Sequence, residues 1–237
     1  YWKIKRQTIL TPILNTYLYI GIFGAALGSR IADLDGVPYI TFIIPGLIMM
    51  AMAMNAFENN AASLFQQRFM RAIEDQLASP LSNFELMSAY ALGGFIRGVI
   101  IAAITFVTAA LLVDLPVADP VLFVSSLAAV GLFFSLLGVF VGVIIDQFDQ
   151  FSLYLNFILQ PLIFLGGVFY SIDLLPHAFQ VATHFNPLFY MINMVRHGMI
   201  GTSDVDPWLS FGIIIAAAAV MFVINLRIFQ TGWRLRS

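Results

Sequence analysis

Cysteine is absent from this 237-residue sequence, so it offers neither a disulfide nor a thiolate metal ligand. Charge is scarce: Asp, Glu, Lys and Arg make up 10% of the residues, against about 25% in soluble domains. Lysine occurs only as Lys3 and Lys5. No G-x-x-x-x-G-K-[ST] is therefore present, and the chain is not expected to hydrolyse ATP itself. G-x-S-x-G and H-E-x-x-H are missing too, so no catalytic residue is nominated. Histidine is limited to His177, His184 and His197. No carboxylate spacing supports them as ligands, so no metal site is expected. A net charge of -2 argues against a nucleic-acid partner. No internal repeat or low-complexity tract is evident.

What is present is apolar: 60% of residues are hydrophobic, and the mean hydropathy is +0.91. That composition belongs to an integral membrane protein. A span needs roughly 20 mostly apolar residues. Six runs qualify, at about 8–28, 39–57, 87–113, 121–145, 151–170 and 208–228. The turn-rich stretches "SRIADLDGVP", "DLPVADP" and "DQFDQ" separate them. The length suits a single domain, an all-α bundle over residues 1–237. The first run lacks a small-residue cleavage site close behind it, so it reads as a retained span. Residues upstream of Tyr1 are expected.

Positive charge orients the spans. Lys3, Lys5, Arg6, Arg68, Arg71, Arg227, Arg234 and Arg236 fall on one side, and only Arg30 and Arg196 on the other. Both termini are therefore expected in the cytoplasm. Trp2, Trp208 and Trp233 fall at span ends, where an amphipathic ring favours the interface. Pro45 and Pro161 should kink the second and fifth spans. Gly24–Gly28, Gly94–Gly98 and Gly138–Gly142 have G-x-x-x-G spacing. They allow close helix approach, more simply within one bundle than across a dimer seam. Arg97 lies within the third run and is expected to snorkel to the cytoplasmic face. Glu58, Asp146 and Asp149 sit at cytoplasmic span ends. No chain of buried carboxylates resembles an ion relay, which disfavours an ion-coupled carrier.

Two connections are more than loops. Between the second and third spans, Phe65, Phe69, Ile73 and Leu77 recur every fourth residue and predict one amphipathic helix over 65–79. Gln67, Arg71 and Asp75 share another face, beside Arg68 and Glu74. Pro80 should end that helix, and Ser82 with Glu85 forms a capping box for the third span. The element reads either as a surface anchor with a solvated face or as a docking surface. Between the fifth and sixth spans, "SIDLLPHAFQVATHF" and "NPLFYMINMVRHG" read as two short helices. Asn186 would cap the second, Pro187 occupy its first turn and Gly198 end it. Eleven residues reach roughly half the bilayer core. A re-entrant hairpin, its turn at 185–186 enclosed, and a pair lying flat on the outer surface are both open.

The ordered set of features resembles the permease subunits of bacterial type-2 ABC exporters. The cytoplasmic element carries E-x-x-L-x-x-P-x-S at Glu74, Leu77, Pro80 and Ser82. Before the sixth span stand Pro187, Leu188, Tyr190 and Arg196. "LGGVFYSIDLLP", residues 165–176, looks like the family's segment leaving span five. The resemblance covers essentially the whole chain, and it is to small permeases with a separate ATPase. Where many members carry R-E-x-G-T, this chain reads "RAIED".

The resemblance implies six transmembrane helices in a multi-pass protein of the bacterial inner membrane. It implies that 65–79 is a coupling helix, with Gln67, Arg68, Arg71, Glu74 and Asp75 docking an ATP-binding subunit. Two copies of that subunit, carrying ATP and Mg, would serve two copies of this chain among membrane lipids; this chain itself would hold no cofactor. Residues 174–197 would form the outer re-entrant hairpin, with Pro187, Tyr190 and Arg196 as its motif. Asn15, Tyr19, Asn55, Tyr154, Asn156 and Gln160 would line the substrate route. The expected function is ATP-driven export of an amphipathic or lipid-linked substrate. The alternatives are an ATP-independent channel or ion-coupled carrier, and a lipid-modifying enzyme using the three histidines.

Overall fold

The computed structural model describes residues 2–26, 34 and 36–235. Gly28, Arg30, Arg236 and the side chains of Trp2, Lys3, Lys5 and Arg6 fall outside the described part. Regular structure among the described residues is helical: α1 (Trp2–Ala26), α2 (Tyr39–Phe69), α3 (Ala72–Leu77), α4 (Asn83–Ala110), α5 (Pro120–Ile144), α6 (Phe148–Leu153), α7 (Gln160–Leu165), α8 (His177–His184), α9 (Pro187–Ile200) and α10 (Pro207–Thr231). A π-helical stretch, Tyr154–Leu159, joins α6 to α7, and a 3-10 turn, Ile172–Leu174, precedes α8. Helices α2, α4, α5 and α10 are long and apolar enough to cross a membrane, and α1 holds a shorter apolar run, Leu10–Phe23.

Helices α2 and α5 form the centre. Their most apolar windows are 72% buried, against 39% for α4 and 22% for α10. The G-x-x-x-G spacings account for how close they lie. A Cβ added to Gly94 would sit 2.8 Å from the Ala56 carbonyl oxygen, and one on Gly142 would sit 3.0 Å from that of Ala61. Gly98 faces Met52, and Gly138 faces the Phe57 backbone. Both pairs thus bring α4 and α5 onto neighbouring flanks of α2, inside one bundle. Asn60 uses this proximity: its Nδ2 donates to the Ser135 carbonyl at 3.0 Å and to Ser135 Oγ at 2.8 Å. Ser135 Oγ donates in turn to the Ala91 carbonyl. In an apolar interior such groups must be satisfied internally.

The ends of the helices follow local chemistry. Ser82 and Glu85 form the reciprocal capping box at α4. Asn186 accepts from the Leu188 N–H with Pro187 in the first turn of α9. Gly198 does not end α9. The helix runs to Ile200 and stops at Gly201, whose φ of +78° suits the left-handed terminator. Gly198 instead admits the neighbouring chain, since its Cβ would lie 2.6 Å from the Phe123 nitrogen. The fifth expected span departs most: its helix stops at Leu165 rather than 170. Pro161 lacks an N–H and its ring crowds the carbonyl four residues back. The preceding turn widens to i→i+5 bonding, so the expected kink takes the form of a π stretch.

The larger correction is at 65–79. It is not one helix. α2 continues twelve residues beyond the expected limit of the second span, to Phe69. Arg71 then adopts φ +57°, and α3 begins at Ala72. The four apolar residues therefore do not share a face: Phe69 is 75% exposed, while Ile73 is buried beside Leu64, Met87 and Leu136. A left-handed arginine costs about 1 kcal/mol, which burial of the Ile73 side chain offsets at roughly 1.5–3 kcal/mol. Periodicity cannot see a single reversal of φ.

Gly138→Leu is expected to lower the thermal midpoint of the detergent-solubilised chain, by overpacking worth about 1–3 kcal/mol. Gly212→Leu, with nothing within 4 Å of its Cβ, should leave the midpoint unchanged.

Candidate functional site

Three polar constellations break the apolar bundle. The first closes one end. Arg68, near the end of α2, donates through Nε to the Arg234 carbonyl at 2.8 Å. Its Nη1 donates to the carbonyls of Gly142 and Ile145 at 3.2 and 2.9 Å. Arg234 Nη1 donates to the Ile144 carbonyl at 2.8 Å. Asp146 bridges the two guanidiniums, at 3.5 Å from Arg68 and 2.6 Å from Arg234. Two cations thus cap the carbonyl end of α5, where the helix dipole favours them. α2, α5 and the tail of α10 are fastened together. Arg68, nominated for docking, is turned into this joint. Gln67 is half-buried and accepts from Gln76 at 3.4 Å. Arg71, Glu74 and Asp75 are exposed. Beside them, Phe65, Phe69 and Met70 line a shallow, mostly apolar depression of about 540 Å³.

At the opposite end Arg196 of α9 is the largest fully buried side chain. Its guanidinium lies 3.9 Å from the Phe42 ring centroid, pairs with Asp204 at 3.4 Å and donates to the Gly167 carbonyl. Gly167 has φ +89°, a conformation glycine adopts without cost. Asp204 also accepts from Ser171 Oγ at 2.7 Å, and its N–H donates to Asn193 Oδ1 at 2.8 Å. Tyr190 donates to the His184 carbonyl at 3.0 Å, tying α8 to α9. Pro187 is exposed at the start of α9. The turn between them is half enclosed. Asn186 is buried, donating to the Leu162 carbonyl at 2.6 Å, but Phe185 is 84% exposed. His177 and His184 are exposed and His197 is half-buried.

The third constellation is a cavity of about 530 Å³ bounded by α1, α2, α4 and α7. Four of the expected liners face it: Asn15, Tyr19, Asn55 and Gln160. Tyr154 and Asn156 do not; Tyr154 packs on the core, and Asn156 is exposed and donates to the Ser152 carbonyl at 3.0 Å. Glu58 and Arg97 complete the lining. Arg97 Nη1 donates to Asn59 Oδ1 at 3.2 Å, and its Nε is buried without a hydrogen-bond partner.

Residues 1–200 match the sequence pattern of the family described as ABC-2 type transporter. The chain belongs to the ABC-2 type transporter family. Over all 237 residues, and 93% of the relative, this ABC-2 chain is 38% identical to the inner membrane transport permease YadH of Escherichia coli K12. It is 28% identical over 233 residues, 94% of this chain and 86% of the relative, to nodulation protein J of Rhizobium leguminosarum bv. viciae. Family and helices together make it a multi-pass membrane transport protein.

Residues that sequence reading of this ABC-2 chain passed over include Asp146, Arg234 and Asp204 as charge partners. Each pairs across 8 to 88 positions, beyond any local spacing. The cavity role of Glu58 was closer to hand. Asn55, Glu58 and Asn59 stand three and four apart and so share one helical face.

Arg196→Met is expected to leave the Asp204 carboxylate buried without its counter-ion, destabilising the chain by about 3–5 kcal/mol. Arg196→Met combined with Asp204→Leu should recover part of that loss in the thermal midpoint. A single variant melting like the parent would contradict the reading.

Proposed function

We propose that this chain is the transport permease of an ATP-driven exporter in a bacterial inner membrane, working with a separate ATP-binding subunit. The observation that carries the proposal is the joint at Arg68. An exposed charged element, Arg71 to Asp75, is attached through one αL residue to the longest helix of the bundle. That helix is fastened by Arg68 to the ends of α5 and α10. A push on the element therefore reaches three long helices at once. A chain without a P-loop needs such an entry point for work done elsewhere.

In this reading the Arg68 end faces the cytoplasm. α1, α2, α4, α5, the α6–α7 segment and α10 are the six spans. α1 runs antiparallel to α2: its Tyr19 and Phe23 stack near Phe169, whose carbonyl accepts from Tyr39. The chain beginning at α1 and the tail after α10 thus lie at the Arg68 end, in accord with the positive charge there. α8 and α9 form the outer hairpin. The fourteen residues of α9 reach about 21 Å, too short to cross a core of about 30 Å, and α9 packs among α2, α5 and α10 rather than flat on the surface. Two chains, each giving one cavity, pair with two ATP-binding subunits carrying ATP and Mg. Arg71, Glu74 and Asp75 make the polar docking contacts, flanked by Phe69 and Met70. Gln67 and Arg68 position them. The exported substrate is amphipathic, with its polar part in the cavity.

Reversing Glu74→Arg together with Arg71→Glu should release the ATP-binding subunit on co-purification and abolish ATP-dependent transport. Asp173→Arg at the opposite end should do neither. Retention of the complex and its ATPase activity by the double reversal would sink the docking assignment. Transport that persists after ATP depletion with ion gradients intact would favour a channel or carrier instead.

A further inference from the structure

The cavity between α1, α2, α4 and α7 is lined by one acidic and one basic side chain, Glu58 on α2 and Arg97 on α4. Among the described residues no ion pair joins them. Both are partly withdrawn from solvent. The Arg97 guanidinium has one hydrogen bond, to Asn59, and a buried Nε with none. Thr105 Oγ1, also on the cavity wall, is buried without a partner. Asn15, Asn55 and Gln160 add amides that both donate and accept. About 530 Å³ lies within the range of small-molecule sites.

Such a site discriminates by charge. A purely anionic head would satisfy Arg97 and be repelled by Glu58. A cationic head would do the reverse. An uncharged sugar would leave the Arg97 guanidinium desolvated without a counter-ion, which is costly away from water. A head holding an anion and a cation a few ångströms apart satisfies both, and a guanidinium is suited to a phosphate's oxygens.

We infer that this cavity selects a zwitterionic headgroup, a phosphodiester ending in an ammonium, with the phosphate at Arg97 and the amine at Glu58. The inference deepens the transport reading by naming the substrate class of the same cavity. Its test uses neither ATP nor the partner, so the two fail separately.

The full chain is purified in detergent and its retained lipid measured by native mass spectrometry. The probes are phosphatidylethanolamine, phosphatidylglycerol and a neutral glycosyl-diacylglycerol of matched acyl chains. Phosphatidylethanolamine should be retained at least about tenfold over the other two, the equivalent of one charged hydrogen bond. Glu58→Gln should switch the preference to phosphatidylglycerol, because Arg97 alone remains. Arg97→Gln should lose the phosphatidylethanolamine preference, and Arg97→Lys should keep it. Free O-phosphoethanolamine that competes assigns recognition to the soluble head; retention without competition assigns it to the lipid. Equal retention of the glycolipid by the parent, or an unchanged preference in Glu58→Gln alongside a well-folded Arg97→Lys, would overturn the inference.

Discussion

A guanidinium enclosed in apolar surroundings has to find partners for its donors and an opposite charge for its cation. Arg196 meets that demand with groups from three parts of the chain: Asp204 after α9, the carbonyl of Gly167 after α7, and the ring of Phe42 on α2. Each partner is placed by something else. Gly167 can present its carbonyl because its φ is positive. Asp204 is held by Ser171 and Asn193. The connection between α7 and α10 is thus folded around one cation, and α9 is kept inside the bundle.

The two ends use arginine differently. Arg196 is enclosed and gathers partners from distant parts of the chain. Arg68 and Arg234 lie nearer solvent and act on the backbone, closing the unsatisfied carbonyls of α5. A screened ion pair at such a site adds little by itself. The carbonyl bonds are what make the joint directional. Between the two ends, charge occurs in the cavity, where Glu58 and Arg97 remain apart. On the cavity wall, Arg97 Nε and Thr105 Oγ1 are buried without a hydrogen-bond partner.

Features encoded within a few residues were legible from the sequence. The capping box at Ser82 and Glu85, the cap at Asn186 with Pro187, and the close approach at Gly94, Gly98, Gly138 and Gly142 all follow from short spacings, and all are present. Periodicity failed at Arg71, where one left-handed residue redirects the chain without altering the pattern of apolar positions. Tyr154 and Asn156 were grouped with Gln160 by the family resemblance, and no short spacing tells which of the three faces the cavity. Gly198 was read as a terminator since both it and Gly201 follow an apolar run. Only the proximity of Phe123 separates their roles. Long-range partners such as Asp146 with Arg234 had no local signal at all.

The glycines along α4 and α5 have a mechanical consequence. Where two helices meet through side chains, the interdigitated layer acts as a bearing, and one helix can slide past the other by exchanging rotamers. At Gly94, Gly98, Gly138 and Gly142 that layer is missing, and carbonyl oxygens of α2 lie where it would be. With nothing between the backbones to shear, α2, α4 and α5 behave as a single stiff strut. α1 is set off from that strut by the cavity along part of its length.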